Sequence, residues 1–226
     1  PSASSPADRY RTWSFAVVVA LLSFFVAFPA AAQPKEPTER DKKAARSLVQ
    51  QGDELMTKKE YDKALEAYIR ADDIMGVPTT GIEVGKVHLL LGHLVEAGDA
   101  FERVSNYPER AGEPKPFTKA RDEAAELLVE VRRRTPKLTI DVEGHKPEDD
   151  VVVTINGEIL DAWARTMPVN PGSHIIEAEA DGYEGASEAL VIGEKEDRAV
   201  TLELIPKASR ADDGEPGTGM LVLAYG

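Results

Sequence analysis

The sequence predicts an α+β chain of two domains, in which about five helices form hairpins ahead of a small antiparallel β-sandwich of about seven strands. Three observations carry this expectation. A stretch of helical periodicity repeats at an offset of 33 residues: Gly52 aligns with Gly85, Tyr61 with Leu94, Ala64 with Ala97, Tyr68 with Phe101 and Ala71 with Val104. A fixed period of this size describes stacked helical hairpins, each burying its apolar face against the next. After Thr135-Pro136 the hydrophobic period changes from helical to alternating. Within the alternating region Asn156-Gly157 is a strong hairpin signal, because both residues tolerate the positive φ of a tight turn.

The elements follow in chain order. Arg9 and Arg11 precede an apolar run from Trp13 to Phe28 and then Pro29-Ala30-Ala31-Ala32-Gln33. A positive flank, a short apolar run and small residues describe a signal peptide over 1–32, cut after Ala32. An uncleaved membrane anchor is the other reading of the same run. Either way, the remainder is expected outside the cytoplasm, in the periplasm or associated with the cell envelope. A charged, proline-containing spacer occupies 33–37. The helical domain is expected over 38–134. Thr38 with Asp41, and Thr80 with Glu83, read as capping-box starts. Ala45, Leu48, Gly52 and Leu55 mark an inward stripe. A fifth helix over 118–134 presents Ala124, Leu127, Leu128 and Val131 on one face, placing it either to cap the array or to pack on the next domain.

The β-sandwich is expected over 135–206. Leu138, Ile140 and Val142 alternate with Thr139, Asp141 and Glu143; Val151, Val153 and Ile155 with Val152 and Thr154; His174, Ile176, Ala178 and Ala180 with Ser173, Ile175, Glu177 and Glu179; and Val200, Leu202 and Leu204 with Thr201 and Glu203. Pro171-Gly172 suits a type II turn and Gly182-Tyr183 a second turn with an aromatic plug. Residues 207–226 form a polar tail that runs into Met220-Leu221-Val222-Leu223-Ala224-Tyr225-Gly226. Those seven residues read as a stray strand or as the opening of a membrane helix that continues past Gly226.

The small and aromatic positions, in their order over residues 45–106, resemble the tetratricopeptide repeat, whose period is about 34 residues. Leu94 departs from the usual aromatic, and His88 stands where the first repeat has Leu55. The run Pro171-Gly172-Ser173-His174, its strand and the Gly182-Tyr183 close resemble the PEGA domain, an extracytoplasmic β-module, over about 137–205. The first loop, Gly144 to Asp150, lacks that family's naming stretch, and Asp161 to Arg165, with Trp163, reads as an insertion. The repeat resemblance implies a concave groove lined by the first helix of each hairpin: Val49, Asp53 and Met56, then Ile82, Lys86 and Leu89. Apolar contacts beside one acid and one base suit an extended peptide or a partner helix.

Composition narrows the function classes. The formal net charge is −13, with 27 basic and 40 acidic residues, which argues against nucleic acid because phosphate binding needs a positive face. With no cysteine, the chain uses no disulfide and no thiol nucleophile. The four histidines His88, His93, His145 and His174 show no metal-binding spacing, and Asp149-Asp150 and Asp212-Asp213-Gly214 lack the alternating ligands of a calcium loop. No phosphate loop or nucleophile elbow occurs, so neither cofactor nor metal is expected and the reading is non-enzymatic. Arg132-Arg133-Arg134 with Lys137 complement a helix C-terminus, and the sharper reading is contact with an acidic lipid surface or envelope polymer. The function expected is an exported adaptor that binds another envelope protein through the groove. The alternative is a carbohydrate module for peptidoglycan or surface polysaccharide, using Trp163 and Tyr183.

Overall fold

The computed structural model describes residues 37–160 and 166–208. The leader, the Asp161–Arg165 segment with Trp163, and the tail after residue 208 lie outside the described residues. Five helices come first: α1 (Glu39–Thr57), α2 (Tyr61–Met75), α3 (Pro78–Leu91), α4 (Leu94–Ser105) and α5 (Lys115–Arg134). Nine strands follow: β1 (Lys137–Glu143), β2 (Val151–Ile155), β3 (Glu158–Ile159), β4 (Thr166–Pro168), β5 (Gly172–Ala180), β6 (Tyr183–Glu184), β7 (Ala186–Ile192), β8 (Arg198–Glu203) and β9 (Ile205–Pro206). No strand pairs ahead of Pro136 among the described residues.

The repeat is visible as matched contacts. A Cβ on Gly52 would lie 2.6 Å from Cε1 of Tyr68, and one on Gly85 would lie 2.5 Å from Cε1 of Phe101. In both hairpins the first helix therefore surrenders its side chain so that the aromatic of the second can lie against its backbone. Ala64 and Ala97 are fully buried beside those rings, and Leu94 is buried where the first repeat has Tyr61. The link between helices also repeats: Lys59 and Gly92, 33 apart, both take positive φ (60° and 79°). Neighbouring helices pack in sequence, α1 on α2, α2 on α3, α3 on α4 and α4 on α5, with α5 also reaching α3.

Thr38 forms the expected capping box, its hydroxyl accepting from the Asp41 amide while the Asp41 carboxylate accepts from the Thr38 amide. The second expected box does not form. α3 starts at Pro78, and Thr80, one turn inside, is buried with its hydroxyl 2.6 Å from Asp72 Oδ1. Proline at the first helical position has the φ a helix needs and no N–H to orphan, so the helix begins there. Thr80 is left to satisfy the buried Asp72, which also pairs with Arg103 at 2.8 Å. The fifth helix starts three residues earlier than expected, at Lys115. Its Ala124, Leu128 and Val131 are buried and Leu127 is half-buried against the same core.

The strand half forms three sheets, ordered β4-β1-β8, β3-β2-β5-β7 and β6-β9. The inward residues of β1, β5 and β8 alternate as expected, and Leu138, Ile140, Val153, Ile176, Val200 and Leu204 meet in one core. Asn156 and Gly157 take φ of 51° and 84° between β2 and β3, the paired positive values of a type I′ turn. One expectation is corrected. β1 and β8 are parallel, in the register Leu138↔Arg198 to Glu143↔Glu203, so the strand domain is not purely antiparallel. Alternation records which face a strand buries and is the same in either direction. The pairing needs a long crossover, and the whole second sheet supplies it.

Candidate functional site

The six groove candidates separate once they are folded. Val49 and Met56 are half-buried against the core shared by α2 and α3. Ile82 is only 3 % exposed and packs with Leu94, Phe101 and Val104, so it belongs to the core rather than to an accessible wall. Leu89 is half-buried against the same cluster. Asp53 is exposed and accepts from the Tyr68 hydroxyl at 2.6 Å, which ties α1 to α2. Burial, and then Asp53, push the Tyr68 phenol up, so it stays a donor across the physiological range.

Lys86 does not stand free. Its ammonium lies 2.8 Å from Glu123 on α5 and 3.3 Å from Glu83 on its own helix. Burial alone would pull this amine down, but the two carboxylates outweigh it and hold it above the ordinary lysine value. Lys86 thus joins α3 to α5.

One concavity on the helical half is a cleft of about 300 Å3 lined by Lys42, Ala45, Arg46, Val49, Met75, Val77, Thr79, Thr80 and Phe117. It lies between the first half of α1, the α2–α3 turn and the start of α5. Val49 alone comes from the expected set. Arg46 and Phe117 were missed because repeat spacing identifies positions within hairpins, whereas this cleft forms where α1, the α2–α3 turn and α5 converge. Phe117 also falls one residue ahead of the expected start of α5. It makes an edge contact with Tyr107, ring centroids 6.2 Å apart, which sets its ring at the cleft. The lining is mixed, with Ala45, Val49, Met75, Val77 and Phe117 beside two basic residues, Lys42 and Arg46. Lys42 is itself paired with Glu39 at 2.8 Å.

The histidines have local roles. His88 and His93 face each other, Nδ1 to Nδ1, at 3.4 Å. Spacing in the sequence keeps them off a common helix face, but the α3–α4 turn at Gly92 folds one ring back towards the other. Burial lowers His88; Glu96 partly opposes that, and His93 adds to it. His174 is buried between Asn156 Nδ2 at 3.2 Å and the Asn170 carbonyl at 2.7 Å. Among the described residues no three ligating side chains converge as a metal site would require.

On the strand half, Tyr183 is 8 % exposed and its hydroxyl donates to Asp149 at 2.6 Å. That bond lowers the Asp149 carboxyl and raises the Tyr183 phenol. The ring packs into the strand core; Trp163, the other carbohydrate candidate, lies outside the described residues. A second cleft, about 370 Å3, lies where α4 and α5 approach β1 and β4, with Leu94, Val95, Gly98, Leu128 and Val131 on its helical wall.

No protein-family model matches this chain, and no curated protein matches it. Among the described residues no helix is long and apolar enough to cross a membrane.

Proposed function

We propose that this protein is a non-enzymatic adaptor of the cell envelope, a tetratricopeptide-like array joined to a PEGA-like β-domain, that holds a peptide or helix of another envelope protein. The observation that carries the reading is the cleft between α1, the α2–α3 turn and α5, whose lining combines apolar side chains with Lys42 and Arg46. An apolar pocket with a few polar groups can seat one anchor side chain while the polar groups fix the orientation of the rest. The matched Gly52–Tyr68 and Gly85–Phe101 contacts support the repeat reading, and the leader residues support export.

The test is recovery of envelope proteins by the wild-type chain and by an Arg46→Glu, Val49→Asp variant whose circular dichroism matches wild type. Loss of one anchor contact of about 1.4 kcal/mol is a tenfold loss of affinity. A partner that depends on the cleft falls by at least that factor. Equal recovery by both chains rejects the cleft as the binding surface. Lys86 is unsuited as a probe, because a carboxylate there would face Glu83 and Glu123 and perturb the fold itself.

A further inference from the structure

Among the described residues the helices and the strands share no core. The cluster around Ile140 and Ile176 contains only residues of the strand half, and those around Phe101 and Tyr68 contain only residues of the helices. Among the described residues no helix lays a broad face on a strand. Two halves built in this way would ordinarily move against each other, since small polar interfaces between domains do not fix orientation. What crosses the junction is a set of directed hydrogen bonds from two separate loops.

The first set centres on Asn170, in the loop between β4 and β5. Its Oδ1 accepts from the Val95 amide at 2.9 Å. Its Nδ2 donates to Glu96 Oε2 at 2.8 Å. Val95 is in the first turn of α4, whose own N-cap residue, His93, makes no side-chain capping bond. The strand half therefore supplies the cap that this helix lacks. Asn170 is held in turn from behind. His174 Nε2 donates to its carbonyl at 2.7 Å, and His174 Nδ1 faces Asn156 Nδ2 at 3.2 Å. Asn156 Oδ1 is committed to the Ile175 amide at 3.0 Å. That commitment fixes the Asn156 amide, which fixes His174 as the Nε2–H tautomer, which positions Asn170.

The second set centres on Arg134, the last residue of α5. Its guanidinium makes a two-point pair with Glu194, in the loop between β7 and β8, at 2.9 and 2.8 Å. Its carbonyl accepts from the Lys195 amide at 2.8 Å. Between the two sets the chain crosses at Thr135-Pro136.

We infer that Asn170 and Arg134 are the two clasps of a polar latch that sets the angle between the helical array and the β-domain, with Thr135-Pro136 as the hinge about which the halves part when the clasps are removed. Each half keeps its own core when the latch opens. The β-domain acts as the terminal cap of the array as well as a module in its own right, and anything held on the helices is oriented relative to the strands.

The absence of cysteine allows spin labels at Glu54→Cys on α1 and Glu188→Cys on β7, with the distance between them read by pulsed electron resonance. The otherwise wild-type chain gives one narrow distance. Asn170→Ala speeds exchange of the Val95 amide about five- to tenfold, the loss expected for one helix cap. Asn170→Ala with Glu194→Ala replaces the narrow distance by a broad distribution, while circular dichroism is unchanged. Asn170→Asp alone sets a carboxylate against Glu96 and loses the narrow distance; adding Glu96→Gln restores a donor and recovers it. A broad distribution in the wild-type background, a narrow unchanged distance in the doubly unclasped chain, or failure of Glu96→Gln to rescue Asn170→Asp overturns the latch.

Discussion

Alanine at the helix glycines tests the repeat at its point of closest contact. An alanine at Gly85 would place its Cβ 2.5 Å from Cε1 and 2.7 Å from Cδ1 of Phe101. Phe101 has no exposed surface, so its ring cannot swing out of the way. Gly52 faces Tyr68 in the same way at 2.6 Å, and the Tyr68 hydroxyl is anchored on Asp53. Overpacking of this kind costs about 1–3 kcal/mol, against which alanine recovers about 1 kcal/mol of helix propensity over glycine. The net loss for Gly85→Ala or Gly52→Ala is about 0–2 kcal/mol. In a chain of this size each kcal/mol moves the melting temperature by about 2–4 °C, so Tm falls by up to about 8 °C. Gly98 is the internal control. It too is in a helix, but a Cβ there meets only Val131 Cγ1 at 3.6 Å, an ordinary contact. Gly98→Ala gains the propensity without the clash and raises Tm by about 2–4 °C. Thermal unfolding of the three variants followed by far-ultraviolet circular dichroism makes the comparison, and Gly85→Ala combined with Phe101→Leu should lose less than the sum of the single changes. If Gly52→Ala and Gly85→Ala stabilise as Gly98→Ala does, the rings are not seated on those backbones and the repeat reading fails.

Three further predictions rest on other parts of the fold. Thr80→Val removes the hydroxyl from the buried Asp72 and costs about 2 kcal/mol in urea unfolding, the value of a hydrogen bond to a charged group; no loss would mean that Arg103 alone satisfies Asp72. Hydrogen bonding to Arg121 holds the Glu113 carboxyl down at about 2, from an ordinary value of 4.5. A depressed carboxyl contributes stability that is complete above its unfolded value and lost as pH falls through the folded one. Acid therefore erodes this contribution between about pH 4.5 and pH 2, and the stability difference between wild type and Glu113→Gln shrinks over that window in pH-dependent melts. Gly144→Ala would place a Cβ 2.2 Å from the Leu204 carbonyl oxygen at a φ of +84°. It should destabilise the strand half by about 2–4 kcal/mol, seen as faster amide exchange at Leu202 with α1 to α3 unaffected.

The elements were legible because their signals are local. Helical spacing marked α1 to α4, period-two alternation marked β1, β5 and β8, and Asn156-Gly157 marked its own turn. The candidate site was less legible. Val49 was found because it falls at a helical register position, but Ile82, on the same logic, lies in the core. A helix stripe does not say how many neighbours will cover it, and α5 packs over the face that Ile82 shares. Lys86 looked like a free base because the partner that neutralises it, Glu123, is 37 residues away in the chain. The strand direction of β1 and β8 was unreadable for a related reason, since each strand's pattern is indifferent to its partner's direction. The Thr80 box failed because two start signals competed and Pro78 came first.

What the sequence alone determined is the division of labour: helices to Arg134, strands after Pro136, the small residues that receive aromatics, and the acid excess. These follow from periodicity and side-chain size, which act over a few residues. Only the tertiary structure decided which apolar side chains are covered, that β1 runs parallel to β8, and that the first turn of α4 is capped by Asn170, 75 residues further along the chain. Those outcomes depend on which surfaces meet, and a hydrogen bond between distant loops leaves no periodic trace in the chain.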